Sequence, residues 1–299
     1  MDIRHLKHFA GIAKYGSFSE AAKRLYISQP ALTRSINVLE DILGTRLFER
    51  TPRGVYLTET GTMLHRHAML ILNEMEAARD ELRAVLEGSQ GEIHVGAASM
   101  FSNLFLDKAA ANLSQNHQGI HTSITIGLYE DLVQQLLDGV LDVVLSTSPD
   151  SEYRDELLFE PLCEINSVIV ASSSHPLSAK DKVEVSDLMD VSWVVLKQAH
   201  MDSFMHSFFA DEGLPAPHSK VRSNSLNIIH SMVQHDGFIG ILPSHWVQES
   251  VEKGDLKILP VPGTPIRRKA GLITRKVDSK NIAAGLLMEE IRSICQQLP

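Results

Sequence analysis

Between Ser17 and Leu57 the apolar residues recur at helical spacing and then give way to a hairpin pattern. Ser17 and Glu20 stand as a capping box and open a short helix over Ala21, Ala22 and Leu25. Tyr26 and Ile27 end it. Ser28 caps a second helix, with Pro30 in its first turn, where a missing N–H is harmless. Leu32, Ile36, Leu39 and Leu43 form one apolar stripe along that helix. At about 100° per residue, Gln29, Pro30, Thr33, Arg34 and Asn37 face the other way. That outer face carries no acid until Glu40 and Asp41. Thr51-Pro52-Arg53-Gly54 then has proline and glycine where a type I turn prefers them, and puts Arg50 and Arg53 at a hairpin tip. These features predict a helix-turn-helix whose second helix enters the major groove, followed by a basic wing. The plainer alternative is a small helical domain with a solvated polar face.

The pattern extends in both directions. Asp2 caps a first helix that buries Leu6, Phe9, Ala10 and Ala13, and Tyr15-Gly16 stops it. His5 and His8 lie one turn apart on that helix without a third ligand, so packing is favoured over metal binding. Thr58 caps a long helix to about residue 87. Along it Leu64, Ala68, Ile71, Met75, Ala78, Leu82 and Val85 alternate spacings of four and three, the seam of a dimeric coiled coil. An amphipathic helix lying on its own domain is the rival reading. Gly88-Ser89-Gln90-Gly91 ends the helix as a hinge.

From Glu92 onward strands alternate with helices. Strands are predicted at 93–97, 121–128, 141–145, 167–171, 193–196, 238–242 and 269–274. Helices are predicted at 101–113, 132–137, 200–212, 226–235, 245–253 and 282–297. Such alternation predicts parallel sheets with helices on both faces. Ligands of open α/β sheets bind beyond strand carboxyl ends, at helix N-termini. The loops so placed hold Ser99, Met100, Phe101 and Ser102; Ser146 and Thr147; Gln198, His200 and Met201; and Arg222 to Ser225. Arg222 is the natural partner for a carboxylate, with Met100, Phe101 and Met201 as apolar wall. A serine at such a junction can equally be a simple N-cap.

Charge sharpens this picture. Residues 1–57 carry nine Lys and Arg against five Asp and Glu, whereas the other residues carry 19 against 32. A basic head on an acidic body concentrates affinity for phosphate at one end, which disfavours a sequence-tolerant architectural protein. No apolar run reaches membrane length and the N-terminus has no apolar signal region, so the expected location is the cytoplasm. Cys163 and Cys295 cannot build a disulfide framework and are expected as buried free thiols, a redox sensor being the alternative reading. The chain lacks G-x-S-x-G, G-x-G-x-x-G, H-E-x-x-H and C-x-x-C, so neither an enzyme nor a cofactor or metal site is expected.

The residues from Leu6-Lys7-His8-Phe9 through Gly16-Ser17-Phe18-Ser19-Glu20-Ala21-Ala22, Ile27-Ser28-Gln29-Pro30-Ala31, Leu47-Phe48-Glu49-Arg50 and Leu57-Thr58-Glu59-Thr60-Gly61 resemble the LysR-type transcriptional regulators. The match is dense over the first sixty residues and rests on length and element order beyond them. The resemblance implies an α+β multidomain chain. A winged helix-turn-helix (1–57) is followed by a coiled-coil linker helix and hinge (58–90). Two α/β subdomains of periplasmic-binding-protein type come next, 91–163 with 266–299, and 164–265. It further implies a homotetramer that bends DNA, with RNA polymerase as a candidate partner, and a cleft lined by the loops named above. The expected function is a ligand-responsive regulator. Ser28, Gln29, Pro30, Thr33, Arg34, Asn37, Arg50 and Arg53 contact a two-fold operator. A small organic acid binds at Ser99, Met100, Phe101, Ser102, Thr147, Gln198, His200, Met201, Arg222 and Ser225. The alternative is a flytrap binding protein or enzyme whose N-terminal domain serves oligomerisation.

Overall fold

The computed structural model describes residues 1–52, 54–87, 91–149, 153, 155–276 and 281–296. The chain forms two compact units: Met1–Glu92 with Gln134–Leu141, and Ile93–Val133 with Asp142–Pro299.

In the first unit, helices α1 (Ile3–Tyr15), α2 (Phe18–Arg24) and α3 (Gln29–Leu43) precede a hairpin of β1 (Phe48–Thr51) and β2 (Gly54–Leu57), and then α4 (Glu59–Glu87). The caps explain the boundaries. The Asp2 carboxylate accepts the Arg4 and His5 N–H groups, and Gly16 ends α1 in the left-handed region. Ser28 Oγ accepts the Ala31 N–H at the start of α3. Ser17 Oγ accepts the Glu20 N–H, but the Glu20 carboxylate turns to Arg24 at 2.9 Å, so the expected box is only half formed. Leu6, Phe9, Ile12, Phe18, Leu32, Ile36, Leu39 and Leu47 make the core, with Phe9 and Phe48 ring centroids 5.2 Å apart.

The far end of α3 departs from the expected stripe. Leu43 is 40 % exposed, and Glu40, expected on the outer face, is only 7 % exposed. Its carboxylate accepts the Leu47 N–H and an Arg46 N–H, both at 2.7 Å. A buried carboxylate needs such partners, and a backbone amide seven residues along supplies one that periodicity cannot show.

The linker helix α4 also divides differently from its heptad. Ala68 is 0 % exposed within this unit's own core, with Leu64 and Leu72 packed against it. A residue already enclosed by its own domain cannot line a dimer seam, so the first part of the expected seam is corrected. Ile71, Ala78 and Leu82 are exposed and Met75 is half-buried, while the Val85 side chain and the 88–90 hinge fall outside the described residues.

The second unit is built on β3 (Gly91–Ala98), β4 (Ile120–Gly127), β5 (Val143–Thr147), β6 (Leu157–Ser172), β7 (Ser192–Leu196), β8 (Val221–Ser223), β9 (Phe238–Pro243), β10 (Leu256–Ile258) and β11 (Ile266–Arg275). Its helices are α5 (Asp107–Asn116), the start of α6 (Tyr129–Leu137, which passes into the first unit at Gln134), α7 (Ala199–Ala210), α8 (Leu226–Val233), α9 (Ser244–Glu252) and α10 (Ile282–Gln296). The strand order is β4-β3-β5-β11-β6-β9-β7-β8, with β10 on β6. β3–β5, β7–β8 and β7–β9 are parallel. β11 and β6, however, run antiparallel to each other and to their outer neighbours β5 and β9. The all-parallel expectation therefore fails at the two strands that are longest. Their register shifts between Ala270 and Gly271, and a Cβ on Gly271 would lie 1.9 Å from the Glu160 oxygen, so this bulge requires glycine.

Two cores flank these strands. One gathers Val95, Phe101, Phe105, Ile165, Ala270, Leu287 and Ile291; the other gathers Val168, Trp193, Phe209, Ile229 and Leu242. The cores change over between Ile165 and Val168 on β6. On β11 they change over between Ile266, packed on the second, and Ala270 in the first. Among the described residues no helix is long and apolar enough to cross a membrane.

Candidate nucleic-acid interface and effector cleft

Helix α3 presents Gln29, Pro30, Arg34 and Asn37 to solvent, Thr33 is half-buried, and Ser28 is exposed at the N-cap. With Glu40 turned inward, this face is less acidic than its sequence suggests. His8 Nδ1 and Ser35 Oγ share a 2.7 Å hydrogen bond on the opposite side, pinning α3 to α1. Burial holds the His8 imidazole below its ordinary pKa, so the ring is neutral there. The Arg50 guanidinium lies 4.2 Å from the centroid of the Phe18 ring, which orients it beside the α2 end of the motif. Arg53 lies outside the described residues. Sequence reasoning missed Tyr26, which adopts φ 56° in the turn before α3 and leaves its side chain 95 % exposed. The helix break at Tyr26-Ile27 was its only signal.

The predicted effector residues divide into three groups. Ser99, Met100, Thr147 and Gln198 line a cavity of about 370 Å³, together with Tyr129, Ser146 and Asn224. Met100, Thr147 and Met201 line a second, of about 520 Å³, with Phe204, Ile241 and Arg268. Ser99, Ser102 and Ser225 face a wider opening beside Asp131 and Trp246. The Ser102 hydroxyl donates to the Ser99 carbonyl at 2.8 Å, and Ser225 caps α8 through the Ile228 N–H. Ser225 thus acts as the N-cap of α8 while lining that opening.

Two residues do not reach the cleft. Phe101 is buried in the first core, stacked on Phe105 with centroids 5.8 Å apart. Arg222 donates to Asp202 at 2.7 Å on an exposed surface and lines none of these cavities. Side chains alternate along a strand, so Arg222 on β8 points away from the loop that follows. The His200 side chain lies outside the described residues. Arg268, Tyr129 and Phe204 were missed: Arg268 is in mid-strand, where no loop signal exists, and the other two sit within helices.

Hydrogen bonds also cross the cleft. His245 Nε2 donates to the Met100 carbonyl at 2.9 Å, joining α9 to the loop after β3. Burial lowers the His245 pKa, against a smaller opposite effect of that bond. The Ala199 N–H at the head of α7 donates to a Glu130 carboxylate oxygen at 3.3 Å. Among the described residues no group of three or more His, Cys, Asp or Glu is placed to hold a metal ion. Burial, aided by nearby Cys163, pushes the Cys295 thiol to about 12, so it stays protonated and unreactive at neutral pH.

The comparisons with known proteins agree with this two-part arrangement. Residues 3–62 match the family model described as bacterial regulatory helix-turn-helix protein, lysR family, and residues 86–296 match the LysR substrate binding domain. The chain is 30% identical over 268 residues to the HTH-type transcriptional regulator CfxR of Cupriavidus necator, spanning 90% of this chain and 84% of that protein. It is 28% identical over 297 residues to the RuBisCO operon transcriptional regulator of Allochromatium vinosum, spanning 98% and 96%. The crystal structure of CbnR, a LysR family transcriptional regulator, has the same fold, with a TM-score of 0.65 at 22% identity over 99% of each chain. Full-length CbnR complexed with its target DNA gives 0.64 at 22%, over 98% of this chain and 100% of that one. A DNA-reading helix-turn-helix and an effector-binding α/β domain in one chain, matched end to end by regulators rather than enzymes, make this protein a member of the LysR family of transcriptional regulators.

Proposed function

We propose that this regulator reads a two-fold operator through α3 and responds to a small organic acid held in the cleft of its second unit. The observation that carries the first part is the outer face of α3. Gln29, Pro30, Arg34 and Asn37 are exposed, and of the two acids at the far end of that face Glu40 is folded under it while Asp41 stays exposed. Arg34 has no ion-pair partner among the described residues, so its fork of donors is available for guanine O6 and N7. Arg50, held over Phe18, and Arg53 are assigned to phosphate. The exposed positions Ile71, Ala78 and Leu82 on α4 are assigned to a two-helix dimer contact that sets half-sites about one helical turn, or a multiple of it, apart. A pair of such dimers forms a homotetramer in the cytoplasm, and effector binding shifts its population between two arrangements on DNA. The domain limits follow the sequence reading, with 91–163 and 266–299 forming one subdomain and 164–265 the other.

The test is a pair of arginine variants on operator and random DNA. Arg34→Ala weakens operator binding by about 1–3 kcal/mol and relaxes base preference, whereas Arg53→Ala weakens both DNAs alike and lowers the salt slope by about 1. Equal losses on the two DNAs for Arg34→Ala would remove it from base reading.

A further inference from the structure

Helices α1, α2 and α3 each end in a residue of left-handed backbone. For α1 and α3 that residue is glycine, Gly16 at φ 60° and Gly44 at φ 69°. For α2 it is Tyr26 at φ 56°, and among the described residues no other non-glycine has a positive φ. The turn closes as a Schellman motif. The Ile27 N–H donates to the Ala22 carbonyl at 3.1 Å, and the Tyr26 N–H to the Lys23 carbonyl at 3.3 Å. Glycine suits this position because a Cβ crowds the following carbonyl oxygen in left-handed backbone. A tyrosine here costs stability, and something must offset that cost.

Nothing inside the chain does so. The Tyr26 side chain is 95 % exposed, more than any other large apolar residue among those described. Neither its ring nor its hydroxyl has a partner among the described residues. Packing in this turn comes from the flanking Leu25 and Ile27, which lie against the core. A single exposed aromatic is ordinary on a protein surface. One held out by a backbone conformation that glycine adopts more readily points to a partner outside the chain.

Its place in the chain identifies that partner. Tyr26 stands three residues before Gln29, so at most about 11 Å of chain separates their Cα atoms. The major groove is about 12 Å wide, which puts rim phosphates within that distance of a helix end lying in it. Lys23 and Arg24 are exposed just before Tyr26, and Ser28 to Ala31 just after it. Between Ser17 and Asn37 the one acid is Glu20, which is spent on Arg24 at 2.9 Å. The surroundings therefore favour an anion. Resting on α3 as the helix that reads DNA, we infer that Tyr26 is a DNA-backbone contact. Its hydroxyl donates to a phosphate oxygen at the groove rim, and its ring lies on the adjoining sugar. It fixes how α3 enters the groove and carries no base preference of its own. Stability lost in the turn is exchanged for affinity.

Anisotropy titrations of the full-length chain test this, on a duplex that the parent chain selects from a random pool and on random duplex of the same length. Exchange protection of the α2 and α3 amides is measured alongside. Tyr26→Gly binds both DNAs about 10-fold or more weakly, with the salt slope unchanged because a neutral donor releases no counterion. The same variant raises exchange protection about 5-fold, since glycine accepts the left-handed turn. Tyr26→Phe keeps parental protection and loses about 3- to 10-fold in binding, the share of the hydroxyl. A packing role cannot move affinity and protection in opposite directions. Binding within about 2-fold of the parent in either variant would overturn the inference. So would a larger loss on the selected duplex than on the random one, or protection that falls together with binding. Arg34→Ala separates the two levels of the reading. If it loses the preference for the selected duplex while Tyr26→Gly binds like the parent, α3 stands and the Tyr26 assignment falls. If it keeps that preference in full, the reading of α3 falls and the Tyr26 assignment with it.

Discussion

Removing the Glu40 side chain should destabilise the DNA-binding unit although it lies on the element that reads DNA and touches none. Its carboxylate sits at the last turn of α3, 7 % exposed, and accepts the Leu47 N–H at 2.7 Å just before β1. Leu47 is itself buried in the core. In Glu40→Ala that N–H has lost its acceptor within a region closed to water, which costs about 1–3 kcal/mol. The partner Arg46 is 79% exposed as a side chain, so its ion pair adds only about 0–1 kcal/mol. The sum, roughly 1–4 kcal/mol, is a large part of what a small domain has to spare. Glu40→Gln keeps an acceptor for Leu47 and loses only charge assistance, so it should cost about 1 kcal/mol or less. Melting of a multidomain chain is not two-state, and native-state hydrogen exchange of the core amides of α1 and α3 is the suitable readout. Those amides should lose protection by the stated amount in Glu40→Ala and by much less in Glu40→Gln. Equal losses in the two variants, or less than about 0.5 kcal/mol in the alanine variant, would refute the assignment of the Leu47 bond as the main contribution.

Other consequences concern strands, protons and thiols. Gly271→Ala places a Cβ against the Glu160 carbonyl in the β6–β11 bulge and should destabilise the second unit by about 2–4 kcal/mol, seen as a lowered urea midpoint for the α10 amides; a neutral effect would show that the bulge relaxes easily. His8 is held below its ordinary pKa of 6.5, first by burial and then by His5, so it takes up a proton on unfolding. Its contribution is full above about 6.5 and is lost as the pH falls below that value. Exchange protection of α1 should therefore drop between pH 7 and 5, and His8→Gln should flatten that drop; an unchanged slope would exclude His8 as its source. Cys295, pushed to about 12, should resist iodoacetamide at pH 8 in the native chain and react once the chain is unfolded in urea; rapid native labelling would contradict its burial.

Much of the molecule was legible from residue order because the relevant physics is local. The caps at Asp2, Ser17, Ser28 and Thr58, the turn at Thr51 to Gly54 and the 3.6-residue period of Leu32, Ile36 and Leu39 depend on neighbours within a turn or two of chain. Those neighbours placed the outer face of α3 correctly as far as Asn37, and failed at Glu40 and Leu43. The ligand loops were legible for the same reason, as junctions where a strand yields to a helix. Only the tertiary structure decided which of their residues converge. Arg222 and Ser225 stand three residues apart, yet one is spent on Asp202 and the other caps a helix. Phe101 is drawn into a core by its neighbour Phe105, and the first part of the α4 stripe is covered by the domain before it. Pairing of β6 with β11 joins residues about a hundred positions apart, and it is this pairing that carries Arg268 and Ile266 to the same chamber as Met100 and Met201. Propensity and period act along the chain and determine what each segment is. Burial and hydrogen-bond satisfaction act across it, so the inward turn of Glu40 emerges only when distant segments meet.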